Sequence, residues 1–266
     1  PPPPPPPVQA EDGIRDARSS LVGSEMCIRD RLKSDPGLSA YIMRISNSAR
    51  YMFASPPRDL EAAVMRLGLA STASLATAHA ARAMFNSSDP KLRKMMMDSY
   101  HRATRTSILC FLLAERLPGF DAEEAMLAGL LQDIAIPPLL MKLADRPEIF
   151  NDETRRKQCI DELAPKVNAL IMKHWGFDDA FIAVMRARKQ WHRDEHEKLD
   201  MADIVLIARW YSLMGTPEFS ECPEFEKIPA LQKLPVSELT ADHSLKLLEE
   251  SRQEIIDLEN TLHAAA

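Results

Sequence analysis

The chain has 266 residues, 45% of them apolar and 27% charged, and a net charge of −6. That composition describes a globular protein of one large domain or two small ones. The negative charge weighs against nucleic acid as a general partner, because phosphate binding favours a basic field. Eight glycines and six per cent aromatics, beside many Ala, Leu and Met, favour helices. No alternating strand pattern with hairpin turns stands out, so an all-α fold is expected. Cys27, Cys110, Cys159 and Cys222 show no metal-type spacing and read as reduced thiols of a cytosol. The longest apolar run, Ile108 to Ala114, is seven residues, well short of the ~18–20 a membrane helix needs.

Pro1 to Pro7 is an extended polyproline segment. It lacks the charged start and apolar core of a signal peptide. The following VQAEDGIRDARSSLVGSEMCIRDR has no sustained amphipathic period. It resembles translated sequencing-adapter DNA. Residues 1–31 are therefore expected to be a disordered leader without function. The fold is expected in 32–266, with a core over 32–191 and a C-terminal helical extension over 200–266.

Asp35 and Pro36 predict a helix start, with Leu38, Ile42, Ile45 and Ala49 on one face. Asn47 and Ser48 read as its C-terminal cap and turn. Asp59 should cap a helix over Leu60–Leu67 that Gly68 closes in the left-handed conformation. Another helix should run from about Ala70 to Phe85. A helix-turn-helix there would reach little DNA, because Arg82 is the second helix's one fixed positive charge. His79, among alanines, reads as a core or boundary histidine. Asp89 and Pro90 should open the longest helix, to about Leu117. Asp121 and Glu124 resemble a capping box for the next.

That next helix leads into Leu127 to Leu140, LAGLLQDIAIPPLL, around which the chain is organised. Leu127, Leu130, Leu131 and Ile134 recur at helical spacing, and Gly129 permits close backbone approach. Asp133 lies inside the apolar run. A carboxylate there must be hydrogen-bonded, paired or metal-bound, because burying it bare costs several kcal/mol. Pro137 and Pro138 should stop the helix. Further helices are expected over Glu153 to Lys173, Phe177 to Lys189, Met201 to Met214, and from Thr240 or Asp242 to about His263. Gly215 to Leu239 reads as a loop-like arm. His192-Arg193-Asp194-Glu195-His196 matches the HxxEH zinc signature, but it stands in a fully charged run where an apolar ligand-bearing helix is required. It reads as a solvated loop.

Gly129-Leu130-Leu131-Gln132-Asp133-Ile134-Ala135 resembles the Gly-Leu-Leu-His-Asp-Ile-Gly of HD-superfamily metal-dependent phosphohydrolases, with the histidine replaced by Gln132. DPGLSAYIMRISNSARY, from Asp35 to Tyr51, resembles the opening signature of the HDOD branch, the HD-related output domain of bacterial signalling proteins. Asp59 to Gly68 and Trp175-Gly176 match further family positions. The chain is identified as a member of that branch over Leu32 to about Trp191, more loosely beyond, without the helices that relatives carry before Asp35. The resemblance implies a single multi-helix bundle of HD-domain type with roughly ten helices. It makes Asp35, Pro36, Asn47, Ser48, Gly68, Gly129 and Trp175 structural signature residues. Relatives that keep an HD-like pocket carry a histidine where this chain has Ala164, and a His-His pair near Arg188-Lys189. A vestigial pocket of Gln132, Asp133, Ala164 and Arg188 is thus implied, with no catalytic residue, metal or cofactor. The expected function is a non-catalytic bacterial signal-transduction output module. It would act in the cytoplasm through a protein partner, without nucleic acid or membrane. One alternative is a metal-dependent phosphohydrolase with ligands rearranged onto His101, Asp133 and His174. Another is a nucleotide-sensing module using the vacated pocket.

Overall fold

The computed structural model describes residues 35–48, 57–235 and 246–263, the side chains of 261–263 excepted. These residues form helices and short turns, with no strand among them. Among the described residues there are thirteen α-helices, three of them short pieces of four or five residues and ten longer. The chain divides into two compact units, Pro1–Met84 with Gln253–Ala266, and Phe85–Arg252.

In the first unit, α1 (Pro36–Ser46) starts where expected, with the Asp35 carboxylate accepting from Leu38 N at 3.0 Å. Leu38, Ile42 and Ile45 are buried along one face, and Ala49 lies outside the described residues. Asn47 caps the C-terminus, its side-chain amide donating to Met43 O at 2.8 Å. Asp59 caps α2 (Leu60–Leu67) through Ala62 N. Gly68 has φ 80° but ψ 162°, not the left-handed helical pair expected. The reason is that α3 (Leu69–Ala83) follows at once. Gly68 must end one helix and begin the next, in a region that is essentially glycine-only. The unit also holds most of the last helix, α13 (Arg252–His263).

The second unit is built on α4 (Pro90–Arg116), capped by the Asp89 carboxylate on Lys91 N and Leu92 N. Alongside it runs α5 (Ala122–Leu131). The two helices approach closely at Gly129, where an added Cβ would stand 2.7 Å from Cys110 Sγ and 2.8 Å from Ser107 Cα. The chain turns over 132–135 and resumes as α6 (Ile136–Ala144). Pro137 and Pro138 therefore open a helix rather than stop one. Lacking N–H groups, they suit a first turn, whose donors have no intrahelical partner. Taken together, Ala122–Ala144 is long and apolar enough to cross a membrane, but 67% of its most apolar stretch is buried in the fold and the turn interrupts it. It serves as core.

Next come α7 (Pro147–Phe150), α8 (Glu153–His174), α9 (Asp179–Arg186) and α10 (Met201–Leu213). Every residue of α10 from Ala202 to Leu213 is buried. Although expected in a C-terminal extension, this helix packs against α4 and α5 inside the second unit. The arm from Gly215 carries two 3-10 turns and α11 (Pro229–Gln232), with Ile228, Ala230, Leu231 and Leu234 buried. The expected final helix is broken at Ser251 into α12 (Lys246–Glu250) and α13. Its proposed caps, Thr240 and Asp242, lie outside the described residues.

Candidate functional site: a carboxylate held by two arginines

The turn between α5 and α6 presents Gln132 and Asp133 to the interior of the second unit. Asn168, fully buried on α8, pins that turn. Its Oδ1 accepts from Ala135 N at 2.8 Å, and its amide donates to Gln132 O. The Gln132 amide donates to Gly129 O at 3.0 Å, leaving its Oε1 turned toward α10.

Asp133 is buried and has both carboxylate oxygens engaged. Arg188 Nε, just beyond α9, donates to Oδ1 at 2.6 Å. Arg209 Nη1, on α10, donates to Oδ2 at 3.0 Å and to Gln132 Oε1 at 2.8 Å. The side chains are 2% exposed for Asp133, 3% for Arg188 and 7% for Arg209. Burial alone would raise the Asp133 pKa, but the two guanidiniums overcome it and hold the carboxyl well below the usual range. Arg188 also reaches Asp161 on α8, at 3.2 Å, and Lys189 Nζ meets both Asp161 oxygens at 2.7 and 2.9 Å. Lys189 has φ 60°, alone among described non-glycine residues in being positive. Such a backbone persists only where surrounding contacts over-determine it. Here the turn directs consecutive cations onto two carboxylates.

Gln132, Asp133 and Arg188 are thus brought together. Ala164 is not among the residues around the carboxylate. It is fully buried in an apolar cluster with Ala135 and Leu139, and Asp161, one turn earlier on α8, faces the arginine. Sequence reasoning missed Asp161, Asn168 and the role of Arg209. The signal for Arg209 was available, because it is a charge inside an apolar helix, as Asp133 is inside an apolar run. His101 and His174 are exposed on α4 and α8, and neither lines the cavity beside Asp133.

His192-Arg193-Asp194-Glu195-His196 is mostly exposed loop, with one exception. The Arg193 side chain is 6% exposed and clamps the start of α10. It bonds Asp200 at 2.7 and 2.9 Å and Asp203, which is fully buried, at 2.8 Å. Asp200 and Asp203 form the capping box of α10. The motif therefore holds a helix end.

The cavity beside Asp133 measures about 440 Å³. Arg102, Arg188, Lys189 and Arg209 line it with Asp133 and Asp161. Met95, Ile136, Ile160, Trp191 and Leu213 supply apolar wall, and Lys157, Glu218 and Glu221 also line it.

The family model for the HDOD domain matches residues 23–191. The chain belongs to the HDOD domain family. The match begins at residue 23, inside the 1–31 stretch expected to be a leader. The HDOD chain is similar in fold to two proteins of Shewanella amazonensis SB2B. One is a candidate metal-dependent phosphohydrolase, 19% identical with a TM-score of 0.71, over 99% of this chain and 91% of that one. The other is a candidate phosphohydrolase, 19% identical with a TM-score of 0.65, over 97% of each chain. It is also similar to an HDOD domain protein of unknown function from Geobacter sulfurreducens, 15% identical with a TM-score of 0.58, over 96% and 92%. Comparison with curated proteins finds no match.

HD phosphohydrolases hold divalent metal on histidines and aspartates, so the donor set here must be asked whether it fits a cation. It does not. Both Asp133 oxygens face guanidiniums, and Gln132 is neutral with its Oε1 and Nε2 in use. Among the described residues no three His, Cys, Asp or Glu side chains are grouped to hold a metal ion. A guanidinium stands where a cation would have to bind the carboxylate.

Proposed function

We propose that this HDOD domain is a non-catalytic signal-transduction output module of a bacterial cytosol, acting through a protein partner. The observation that carries the reading is the Arg188–Asp133–Arg209 bridge. A metal would have to displace two buried, hydrogen-bonded guanidiniums to reach the one aspartate of the motif. An arginine is never deprotonated in a protein, so raising the pH does not open the site. The output role itself rests on the family, because fold alone does not assign function.

The Shewanella neighbours favour a second reading, a phosphohydrolase with rearranged ligands. It needs His101 and His174 near Asp133, and both stand exposed away from the cavity. The test is metal analysis of untagged protein, paired with turnover of generic and cyclic-dinucleotide phosphodiesters under added Mn²⁺. The module reading expects neither bound metal nor turnover. Stoichiometric Mn, Fe or Zn, with turnover abolished by Asp133→Ala, overturns it.

A further inference from the structure

We infer that the outer face of α8 is the docking surface of this module, and that it takes an amphipathic helix with an acidic flank. The inference rests on the reading above that the protein acts through a protein partner. Leu163, Val167 and Leu170 recur on α8 at helical spacing and share one stripe. Leu170 is 67% exposed, the most exposed leucine among the described residues, and Leu163 is 38% exposed. Val167 lies between them, half-buried, and packs on the cluster of Ala135, Leu139 and Ala164. The stripe is thus rooted in the core while its two leucines stand outward. A leucine exposed singly needs no explanation. A stripe at this spacing is the one through which one helix reads another.

The charges beside the stripe select the occupant. The second half of α8, Ala164 to His174, carries Lys166, Lys173 and His174 and no carboxylate, in a chain whose net charge is −6. Lys166 and Lys173 are exposed, and each lies one helical turn from a leucine of the stripe. Arg186, exposed at the end of α9, stands with Lys166 along the groove beside this face. Three carboxylates line that groove. Two are already matched, Asp161 by Arg188 and Lys189, and Glu221 by Lys157. The third, Glu162, is 3.9 Å from Lys166, with the side chains 75% and 69% exposed, and such a pair contributes little. The next carboxylates along the chain, Asp178 and Asp179, belong to the start of α9, where Asp178 caps Phe181 N. Lys166, Lys173 and Arg186 are therefore left beside an apolar stripe. Glutamates flanking a partner's own leucines would complement them. A second copy of the chain fits poorly, because an antiparallel pair of α8 helices sets Lys166 and Lys173 against the same lysines. An anionic membrane fits poorly too, since docking there draws on clusters of ~4–8 Lys or Arg.

Fluorescence anisotropy of the full chain would use two synthetic helical peptides with one leucine stripe, flanked by glutamates in the first and lysines in the second. The glutamate peptide is expected to bind, more weakly as salt rises, and the lysine peptide not to bind. Leu163→Gln with Leu170→Gln should weaken binding at least about tenfold, roughly the burial of one aliphatic side chain. Lys166→Glu with Lys173→Glu should exchange the preference between the peptides. All four positions are exposed, so both double variants should fold. Failure of the glutamate peptide to bind at millimolar concentration overturns the inference, as does equal binding of the two peptides. Binding unmoved by the glutamine pair also overturns it. So does self-association of the chain, or capture on phosphatidylserine vesicles, that the glutamine pair abolishes. Bound metal with turnover would sink the proposed function instead. Absent peptide binding in a metal-free, inactive protein sinks this inference alone.

Discussion

Replacing Asp133 with alanine is the sharpest perturbation of this fold. It removes the acceptor of two guanidiniums whose side chains are 3% and 7% exposed. Breaking a buried ion pair from one side costs about 3–5 kcal/mol, because the remaining charge is stranded. Two charges are stranded here, but each keeps one contact. Arg188 retains Asp161 at 3.2 Å, and Arg209 retains Gln132 Oε1 at 2.8 Å. The expected loss is therefore about 3–5 kcal/mol, and not twice that. Asp133→Asn keeps one acceptor oxygen, but turns an NH2 group toward a guanidinium. It should cost less than alanine, about 1.5–3 kcal/mol, the worth of a hydrogen bond to a charged group. Urea denaturation is the assay: the midpoint should fall while the slope stays constant. The pH dependence follows from the lowered Asp133 pKa. The stabilisation is fully present above the unfolded aspartate value of ~3.9 and is lost as pH falls through the lower folded value. The alanine variant should lack that acid limb. A midpoint unchanged by Asp133→Ala would refute the argument, since a buried carboxylate balancing two arginines cannot be removed without effect.

Gly129→Ala should lower the melting temperature, with a cost of about 1–3 kcal/mol from overpacking. Adding Cys110→Ala should restore only part, because the Ser107 backbone is equally close. Arg193→Ala should cost about 1.5–3 kcal/mol, having removed charged bonds to Asp200 and Asp203. His192→Ala with His196→Ala should stay within about 0.5 kcal/mol and leave metal content unchanged. Loss of a bound zinc on that double substitution would restore the ligand reading of the motif.

Much of the helical plan was legible in the chain because its signals are local. Asp35-Pro36, Asp59, Asp89-Pro90 and Asp121 announce helix starts through bonds that span three residues, and those caps form as expected. Asp133 was conspicuous because a charge in an apolar run demands a partner. Which partner answers is a different kind of fact. Arg188 and Arg209 lie 55 and 76 residues away, and no periodicity links them to the turn. Pro137 and Pro138 likewise break helices in isolation, yet the turn at 132–135 places them where a helix begins. By itself the sequence determined the family, the all-α class and the strain of an aspartate in a core. Only the tertiary structure decided that two guanidiniums, from Arg188 and Arg209, pair with that aspartate. The physical reason is that electrostatic balance in a buried site is settled by distance in space, which separation along the chain does not encode.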